Sequence, residues 1–236
     1  MNRQIEQACA AFRTLLEEQL ARAERIAETS AQMAEKEKTV IGLIDGDGIG
    51  PIIMEQAVRV LKALAADEIA AGKIELRRIE GLTIENRLAL GKSVPEDVLA
   101  AIRECDVLLK GPTTTPKGGT MESANVTLRR ELDLFANVRP VCLPEQGIDW
   151  VFFRENTEGE YVLGSRGVTI GDTMAVDFKV TTDAGTRRIA RAAFDYARQN
   201  GKTSVSIVTK AKIMKKTDGR FSAICHEIAQ EYPEIT

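Results

Sequence analysis

Paired cysteines, clustered histidines and long apolar runs are all missing from this sequence. Its four cysteines are scattered without a C-x-x-C pair, and its single histidine, His226, is interpreted as non-catalytic. These absences argue against a disulfide framework and a zinc site, and they favour reduced thiols in a cytosolic compartment. No apolar run approaches the roughly 20 residues that a membrane-spanning helix needs.

Excess charge of either sign is also absent. A net charge of −3 gives no reason to expect nucleic acid or an anionic membrane as a partner. The first 30 residues lack the apolar segment of a signal peptide and are too rich in glutamate for a mitochondrial transit peptide. We therefore expect a cytoplasmic protein that binds neither nucleic acid nor membrane.

The N-terminal segment predicts one long helix followed by a linker. Apolar side chains recur at helical spacing over residues 3–28 with no glycine or proline between them. The polar stretch 29–38 then reads as a linker, so residues 1–38 form an extension. This helix either contacts a partner or packs on its own subunit, and we favour the second.

An alternation of strands and helices begins at Thr39 and predicts a mostly parallel sheet. The strands are TVIGLI, KIELRRI and DVLLKG, and the helices cover residues 51–70 and 95–104. After residue 134 the pattern changes to strands with few helices between them, namely LFANVRPVCL, WVFFREN and MAVDFKVTT. A helix over 184–199, a strand SVSIVT and a helix near 219–231 follow. This change predicts a second subdomain that begins near residues 135–140.

The stretch LIDGDGIGP, residues 43–51, has glycines in an unusual spacing. A dinucleotide-binding turn needs G-x-G-x-x-G, whereas the glycines here are spaced G-x-G-x-G. Asp45 and Asp47 would also repel a pyrophosphate. The stretch by itself therefore favours a tight strand-to-helix turn with Pro51 in the first helical turn.

A helix that begins after Ser123 carries candidate anion-binding groups. Ser123 is a natural N-cap, and Asn125 and Arg129 lie four residues apart on one face. A helix N-terminus with these side chains offers amide donors, a partial positive charge and a guanidinium to one anion. The alternative is a capped surface helix whose arginines form ion pairs with Glu131 and Asp133.

Two further arginines lie among apolar strand residues. Arg139 ends FANVR and Arg154 lies within FFRENTEGEY, where an unpaired arginine is costly to bury. Together with Arg129 they suggest a substrate with several carboxylates. Structural ion pairs with Glu155 or Glu158 are the competing interpretation.

Tyr161 and Lys210 are the plausible pair for proton transfer. Lys210 ends the segment SIVTK near other cationic side chains, and a lysine near other cations loses basicity. Taken singly, each of the two is better explained by a structural role.

Five segments, taken in order, resemble the β-decarboxylating dehydrogenases, the isocitrate and 3-isopropylmalate dehydrogenase family. They are GDGIGP, KGPTTTP, SANVTLRRELDLFANVRP, FRENTEGEY and TKAKIMKKTDG, and the match runs from about Thr39 to the end of the chain. The resemblance implies an α/β fold that is not a Rossmann fold, with a parallel-rich sheet flanked by helices and a smaller α+β dimerisation domain. Residues 39–134 would form the N-terminal half of the large domain. Residues 135–236 would form an incomplete small domain, with the C-terminal part of the fold missing.

The resemblance also implies roles for individual residues. Tyr161 would protonate the enol left after decarboxylation, and Lys210, reaching in from the partner subunit, would assist proton removal from the hydroxyl. Thr115 would lie beside the nicotinamide. The substrate carboxylates would be held by Ser123, Asn125, Arg129, Arg139 and Arg154.

The implied reaction is the oxidative decarboxylation of isocitrate to 2-oxoglutarate, a step of the tricarboxylic acid cycle. The cofactor would be NAD or NADP, with NAD slightly favoured, and the substrate a small tricarboxylate. Ligands for Mg²⁺ or Mn²⁺ are expected beyond residue 236, with none in this chain, so the chain alone is expected to be inactive. A homodimer or larger homo-oligomer is implied.

Within the family, Ser123 and Asn125 suit a γ-carboxylate and favour the isocitrate branch over isopropylmalate. The alternatives are homoisocitrate or 3-isopropylmalate oxidation and a non-catalytic regulatory subunit. Two residues depart from the family pattern: Ile52 stands where glutamate usually follows Gly-Pro, and Lys212 stands in place of asparagine.

Overall fold

The computed structural model describes residues 2–28, 36–118, 121–162, 167–171 and 173–236. Two compact units form. One comprises residues 32–132 and is called the sheet unit; the other comprises residues 1–31 and 133–236 and is called the hairpin unit. Residues 29–35 of the predicted linker lie outside the described residues.

The sheet unit is built on three parallel strands. They are β1 (Thr39–Ile44), β2 (Ile74–Arg78) and β3 (Val107–Lys110), in the order β2–β1–β3. Ile41 of the central strand pairs with Leu76 on one side and Val107 on the other. The parallel sheet predicted from the alternation of strands and helices is therefore confirmed.

Five helices of the sheet unit connect or follow these strands. They are α2 (Gly50–Leu64), α3 (Ala66–Ala70), α4 (Ile84–Leu90), α5 (Glu96–Arg103) and α6 (Ala124–Glu131). The single helix predicted over 51–70 is divided at Ala65, whose φ of −109° leaves the helical region. The main buried cluster of the sheet unit joins the end of β1 to α5 and α6. It contains Ile44, Val98, Ile102 and Leu128.

Helix α4 escapes detection from periodicity because it has only two turns. Thr83 caps its start by accepting a hydrogen bond from the Asn86 amide, and Gly91 ends it in the left-handed region at φ 63°. Such a start and stop are typical capping signals. The amide of Ile84 donates to the Asp47 side chain, so the first turn of α4 lies beside the turn that follows β1.

The hairpin unit contains a long antiparallel hairpin and three helices. Its strands are β4 (Ala136–Leu143) and β5 (Ile148–Glu155), joined by a 3-10 turn at Pro144–Gln146, and the short pair β6 (Val168–Ile170) and β7 (Met174–Val176). Its helices are α1 (Asn2–Glu28), α7 (Asp183–Gln199) and α8 (Asp218–Ala229). Within the described segments of the chain, no helix is both long and apolar enough to cross a membrane.

The prediction of a strand over SVSIVT is wrong. Residues 204–209 form no strand, and Val205 and Ile207 instead pack against the cluster of α7 and α8 that contains Phe194 and Ile228. Alternating apolar residues predict an extended backbone, but a strand also needs a neighbouring strand to bond with. The predicted strand MAVDFKVTT likewise shortens to β7.

The N-terminal helix α1 packs on the hairpin unit of its own chain. Leu15 is buried against Val162, Phe178 and Val180. The ring of Phe12 stacks on Phe178 with centroids 4.7 Å apart. The helix is therefore anchored by apolar contacts.

Burial makes one thiol of this unit unreactive. Cys225 of α8 is buried, and burial raises its pKa from 9.0 to about 11. Only the thiolate is nucleophilic, so the higher pKa lowers the reactive fraction of Cys225 about a hundredfold. Cys9 and Cys142 are exposed and serve as internal controls. Alkylation at pH 8, followed by mass spectrometry, should label both controls at least about a hundredfold faster than Cys225; equal rates would contradict the packing of α8.

Candidate functional site

The buried carboxylate of Asp47 organises the turn after β1. Its side chain is only 4% exposed, and its oxygens accept hydrogen bonds from the backbone amides of Ile84 and Thr114, both at 2.7 Å. The Asp47 amide in turn donates to the Pro112 carbonyl at 2.7 Å. One carboxylate therefore joins the turn after β1, the loop after β3 and the start of α4.

The glycines of GDGIGP allow two loops to approach each other. A Cβ added at Gly46 would collide with the Pro112 carbonyl oxygen, and one at Gly50 or Gly111 would collide with the Asp45 carbonyl oxygen. Gly46 also has a φ of 75°, which residues with a Cβ rarely adopt. The predicted strand-to-helix turn with Pro51 in the first helical turn is confirmed, and the glycine spacing also serves close packing between loops.

Arg87 is the cation at the centre of this arrangement, and the sequence analysis missed it. Its side chain is 0% exposed and donates to the carbonyl oxygens of Ser93 at 2.7 Å and Thr114 at 2.8 Å. Its Nη1 lies 4.0 Å from the Asp47 carboxylate. No motif marked Arg87, because Asp47 and Thr114 come from loops distant in the sequence. Its effect is to hold the segment that leads into Thr115, which is itself exposed.

Of the predicted residues of α6, Ser123 and Asn125 lie at the start of the helix, whereas Arg129 lies in its last turn. Ser123 occupies the N-cap position, as predicted, but its side chain makes no capping hydrogen bond. Its carbonyl accepts from the amides of Val126 and Thr127. Asn125 accepts a 3.4 Å hydrogen bond from the Thr113 hydroxyl of the preceding loop. The hydroxyl of Ser123 is thus left free of the cap that the sequence predicted for it.

Lys110, at the end of β3, adds positive charge to the same region. Its ammonium donates to the Gly111 carbonyl at 2.6 Å and to the Thr113 hydroxyl at 3.5 Å. Burial lowers the pKa of Lys110, and the charges of Arg87 and Arg129 lower it further, against the attraction of Asp47. The strand end, the Thr113 loop and α6 therefore form a cationic cluster suited to an anion.

The ion-pair alternative for α6 is only partly realised. Arg130 binds Glu122 through two hydrogen bonds of 3.0 and 2.9 Å, and it lies 3.8 Å from Glu131. Asp133 instead forms its ion pair within the hairpin unit, with Arg188. Of the two suggested partners, Glu131 therefore pairs with Arg130, whereas Asp133 pairs with Arg188 and Arg22.

In the hairpin unit, Arg154 and Tyr161 come together. The Arg154 guanidinium carbon lies 4.8 Å from the centroid of the Tyr161 ring, within the range of a cation–π contact. Arg154 is paired across the hairpin with Asn137, whose side-chain oxygen accepts from Arg139 at 2.9 Å. The two arginines therefore lie on one face of the hairpin, as diagonal neighbours. Both are exposed, so the burial cost that the apolar strand residues suggested for them does not arise.

Glu155 and Glu158, the suggested ion-pair partners of these arginines, are engaged elsewhere. Glu155 accepts hydrogen bonds from the amide and hydroxyl of Thr157 and from the Glu158 amide. Burial raises the pKa of Glu155, although these hydrogen bonds oppose the rise. Among the described residues, no carboxylate lies within ion-pair distance of Arg139 or Arg154, so the competing interpretation gains no support.

Lys210 is exposed, and Asp218 holds its backbone. Asp218 accepts from the Lys210 amide and, at 2.8 Å, from the Thr209 hydroxyl. Burial raises the pKa of Asp218, but the bonds from Lys179 and Thr209 outweigh burial and lower it overall. Lys179 binds Asp218 at 2.9 Å and reaches Glu160 at 3.5 Å. One lysine therefore links the Lys210 segment to the segment of Tyr161, although the described contacts include none between Lys210 and Tyr161 themselves.

Two groups of predicted residues thus emerge. The sheet unit gathers Ser123 and Asn125 near Lys110, with Arg129 on the same helix, and the hairpin unit gathers Arg139, Arg154 and Tyr161. Their roles in binding and catalysis stay predictions. Arg87 and Lys110 are additions that sequence reasoning did not select, although Lys110 opens the quoted motif KGPTTTP.

Comparison with known proteins places these groups in context. A family model described as isocitrate/isopropylmalate dehydrogenase matches residues 39–236. Mitochondrial isocitrate dehydrogenase (NAD) subunit 2 of Schizosaccharomyces pombe is 40% identical over 203 residues, which cover 83% of this chain and 50% of that protein. Isocitrate dehydrogenase (NADP) of Archaeoglobus fulgidus is 37% identical, with 89% and 57% covered.

A solved structure of an isocitrate dehydrogenase also matches this chain. The isocitrate dehydrogenase of Methylococcus capsulatus superposes with a TM-score of 0.71 at 38% identity, covering 84% of this chain and 58% of that one. The chain spans about half the length of the curated relatives it matches.

Proposed function

The chain belongs to the isocitrate/isopropylmalate dehydrogenase family, and we propose from this premise that its complete polypeptide oxidises and decarboxylates isocitrate to 2-oxoglutarate. The observation that carries the proposal is the set of neighbours around the Arg154 side chain. This arginine stacks on Tyr161 and, among the described residues, has no carboxylate partner. A guanidinium beside a phenol, left without a structural counter-charge, is suited to a substrate carboxylate next to a proton donor.

The proposed substrate has three carboxylates, which the predicted cationic and polar side chains would bind. Arg129, Arg139 and Arg154 would each bind carboxylate oxygens, since guanidinium groups match carboxylates in geometry and charge. Ser123 and Asn125 would receive the γ-carboxylate. The missing side-chain cap at Ser123 supports this role, because its hydroxyl is not committed to the amides of α6.

Proton transfer is assigned to Tyr161 and Lys210. Tyr161 would protonate the enol that decarboxylation leaves, and Lys210, donated by the partner subunit, would assist removal of the proton from the substrate hydroxyl. The exposure of Lys210 supports a role toward a second subunit. The nicotinamide of NAD or NADP, with NAD slightly favoured, would accept the hydride beside Thr115.

Among the described residues, no three histidine, cysteine, aspartate or glutamate side chains gather in a way that could hold a metal ion. We propose that the activity depends on Mg²⁺ or Mn²⁺. We also propose a cytoplasmic homodimer or larger homo-oligomer acting in the tricarboxylic acid cycle.

A regulatory role is the second candidate. Two Arabidopsis thaliana relatives at 38% and 39% identity are named regulatory subunits of isocitrate dehydrogenase (NAD). In that case the chain would act beside a longer homologous subunit rather than turn over substrate itself.

A substrate panel tests the proposal. The complete polypeptide should reduce NAD or NADP with isocitrate at a kcat/KM at least about a hundredfold above that with 3-isopropylmalate, because a site built for a carboxylate discriminates against an apolar replacement. Homoisocitrate completes the panel. Comparable rates with 3-isopropylmalate would contradict the isocitrate assignment. Turnover that appears only after a longer homologous chain is added would favour the regulatory candidate.

A further inference from the structure

The N-terminal helix lies outside the family match, yet it delivers a charged side chain to the segment of Tyr161. The family model begins at residue 39, whereas α1 ends at Glu28. Arg22 of α1 donates from Nη1 to Glu158 at 2.8 Å and from Nη2 to the Thr157 hydroxyl at 2.5 Å. Its side chain is only 14% exposed, so these bonds are largely shielded from water.

The position of Arg22 is set by the packing of α1. Leu15, two turns earlier, is buried against Val162 and Phe178. Phe12 stacks on Phe178, and Gln4 accepts a hydrogen bond from the Gly171 amide. These contacts join α1 to the hairpin unit along much of its length. Arg22 therefore reaches Glu158 from a helix that is packed against the rest of the hairpin unit.

Glu158 is the residue through which Arg22 can act on the tyrosine. Its side chain is 4% exposed, and its oxygens also accept from the amide and hydroxyl of Thr182. Its own carbonyl accepts from the Tyr161 amide at 3.3 Å, and the next residue, Gly159, bonds to the Val180 carbonyl at 2.7 Å. A buried carboxylate that loses its cationic partner is left with an uncompensated charge. The backbone that carries Tyr161 would then be less well held.

A neighbouring arginine does not duplicate this contact. Arg188 binds Asp133 and, at 3.2 Å, the Thr157 hydroxyl. Of the cationic side chains in the described residues, Arg22 is the one within ion-pair distance of Glu158. The removal of Arg22 is therefore not compensated in place.

We propose that Arg22 is a positioning residue, which sets Tyr161 and its partner Arg154 by holding Glu158 and Thr157. The extension α1 thus supports the candidate catalytic tyrosine as well as the fold. The catalytic half of this inference rests on the proposed function, whereas the structural half does not.

The experiment compares Arg22→Met, Arg22→Lys and the control Arg13→Met in the complete polypeptide. Arg13 is an exposed arginine of the same helix. Amide hydrogen exchange is measured for peptides that cover residues 156–162, together with kcat and KM for isocitrate. In Arg22→Met we expect at least about tenfold faster exchange in this segment, with α8 unchanged, because local opening is governed by local contacts.

The same variant should lose at least about tenfold in kcat with a smaller change in KM, since Tyr161 acts on bound intermediates. Lysine keeps the charge but not the two-pronged geometry, so Arg22→Lys should recover part of both effects. Arg13→Met should match the wild type. If Arg22→Met does not fold, the exchange and kcat of Arg22→Lys decide the question.

Two results would overturn the inference. One is unchanged exchange over residues 156–162. The other is faster exchange throughout the hairpin unit with normal kcat, which shows a purely stabilising role. If the wild type does not turn over isocitrate at all, the proposed function fails, and local exchange in the Arg22 variants still decides whether α1 holds the tyrosine segment.

Discussion

Replacement of Tyr161 by phenylalanine is expected to lower kcat for isocitrate by at least about a hundredfold, the usual contribution of a positioned general acid. Phenylalanine keeps the ring, so the contact with the Arg154 guanidinium, now 4.8 Å from the ring centroid, should persist. The change therefore removes the hydroxyl and its proton while leaving most of the packing. We expect KM to change little, because the proposed carboxylate ligands remain.

Two further variants separate the hydroxyl from the ring. Tyr161→Leu removes both and should raise KM as well, since Arg154 loses the surface on which it stacks. Tyr196→Phe removes a hydroxyl from another tyrosine of the hairpin unit, which packs on Phe153. Steady-state kinetics and thermal unfolding are measured for all three. A Tyr161→Phe enzyme with more than half of the wild-type kcat would exclude Tyr161 as the proton donor.

The second large effect is expected for stability, at Asp47. Asp47→Ala should lower the free energy of unfolding by about 3–5 kcal/mol, because one partner of a buried charge pair is removed. Arg87 would stay fully buried without its nearest carboxylate, now 4.0 Å away. The amides of Ile84 and Thr114 would also lose their acceptor. Urea unfolding of the complete polypeptide measures the change.

Asp45, two residues earlier, provides the matched control. It forms an ion pair with Arg78, whose side chain is 53% exposed. An exposed pair contributes at most about 1 kcal/mol, so Asp45→Ala should have a small effect. The double variant Asp47→Ala/Arg87→Met should be less destabilised than the sum of the single variants, because the two side chains share one network. Equal effects of Asp45→Ala and Asp47→Ala would contradict the central role of Asp47.

Much of the fold follows from local patterns. Periodicity predicts the helices α1, α5, α7 and α8 to within a few residues, and the alternation of elements predicts the parallel sheet. The patterns fail where structure depends on a distant neighbour. Residues 204–209 have the alternation of a strand but no paired strand in the described structure. The helix divides at Ala65, where no glycine or proline in the sequence predicts a break.

The candidate site divides in the same way. The sequence predicts Arg139, Arg154 and Tyr161 as site residues, because they lie in ordered motifs. The structure brings Arg154 and Tyr161 together. Arg22 and Arg87 were missed because an arginine in an ordinary helix gives no sign of its partners. Arg22 reaches Glu158 across 136 positions of sequence. Separations of this size are invisible to any local pattern.

By itself, the sequence determined the family and the candidate residues, because ordered motifs preserve the chemical types that a site requires. The tertiary structure decided how those residues are held. The glycines of GDGIGP allow two loops to come into contact, and Asp47 and Arg87 form a buried network. Glu158 binds Arg22 of a helix that lies outside the family match. The physical reason is that hydrogen bonds and buried charges depend on distance in space, and folding alone brings these distant residues within reach.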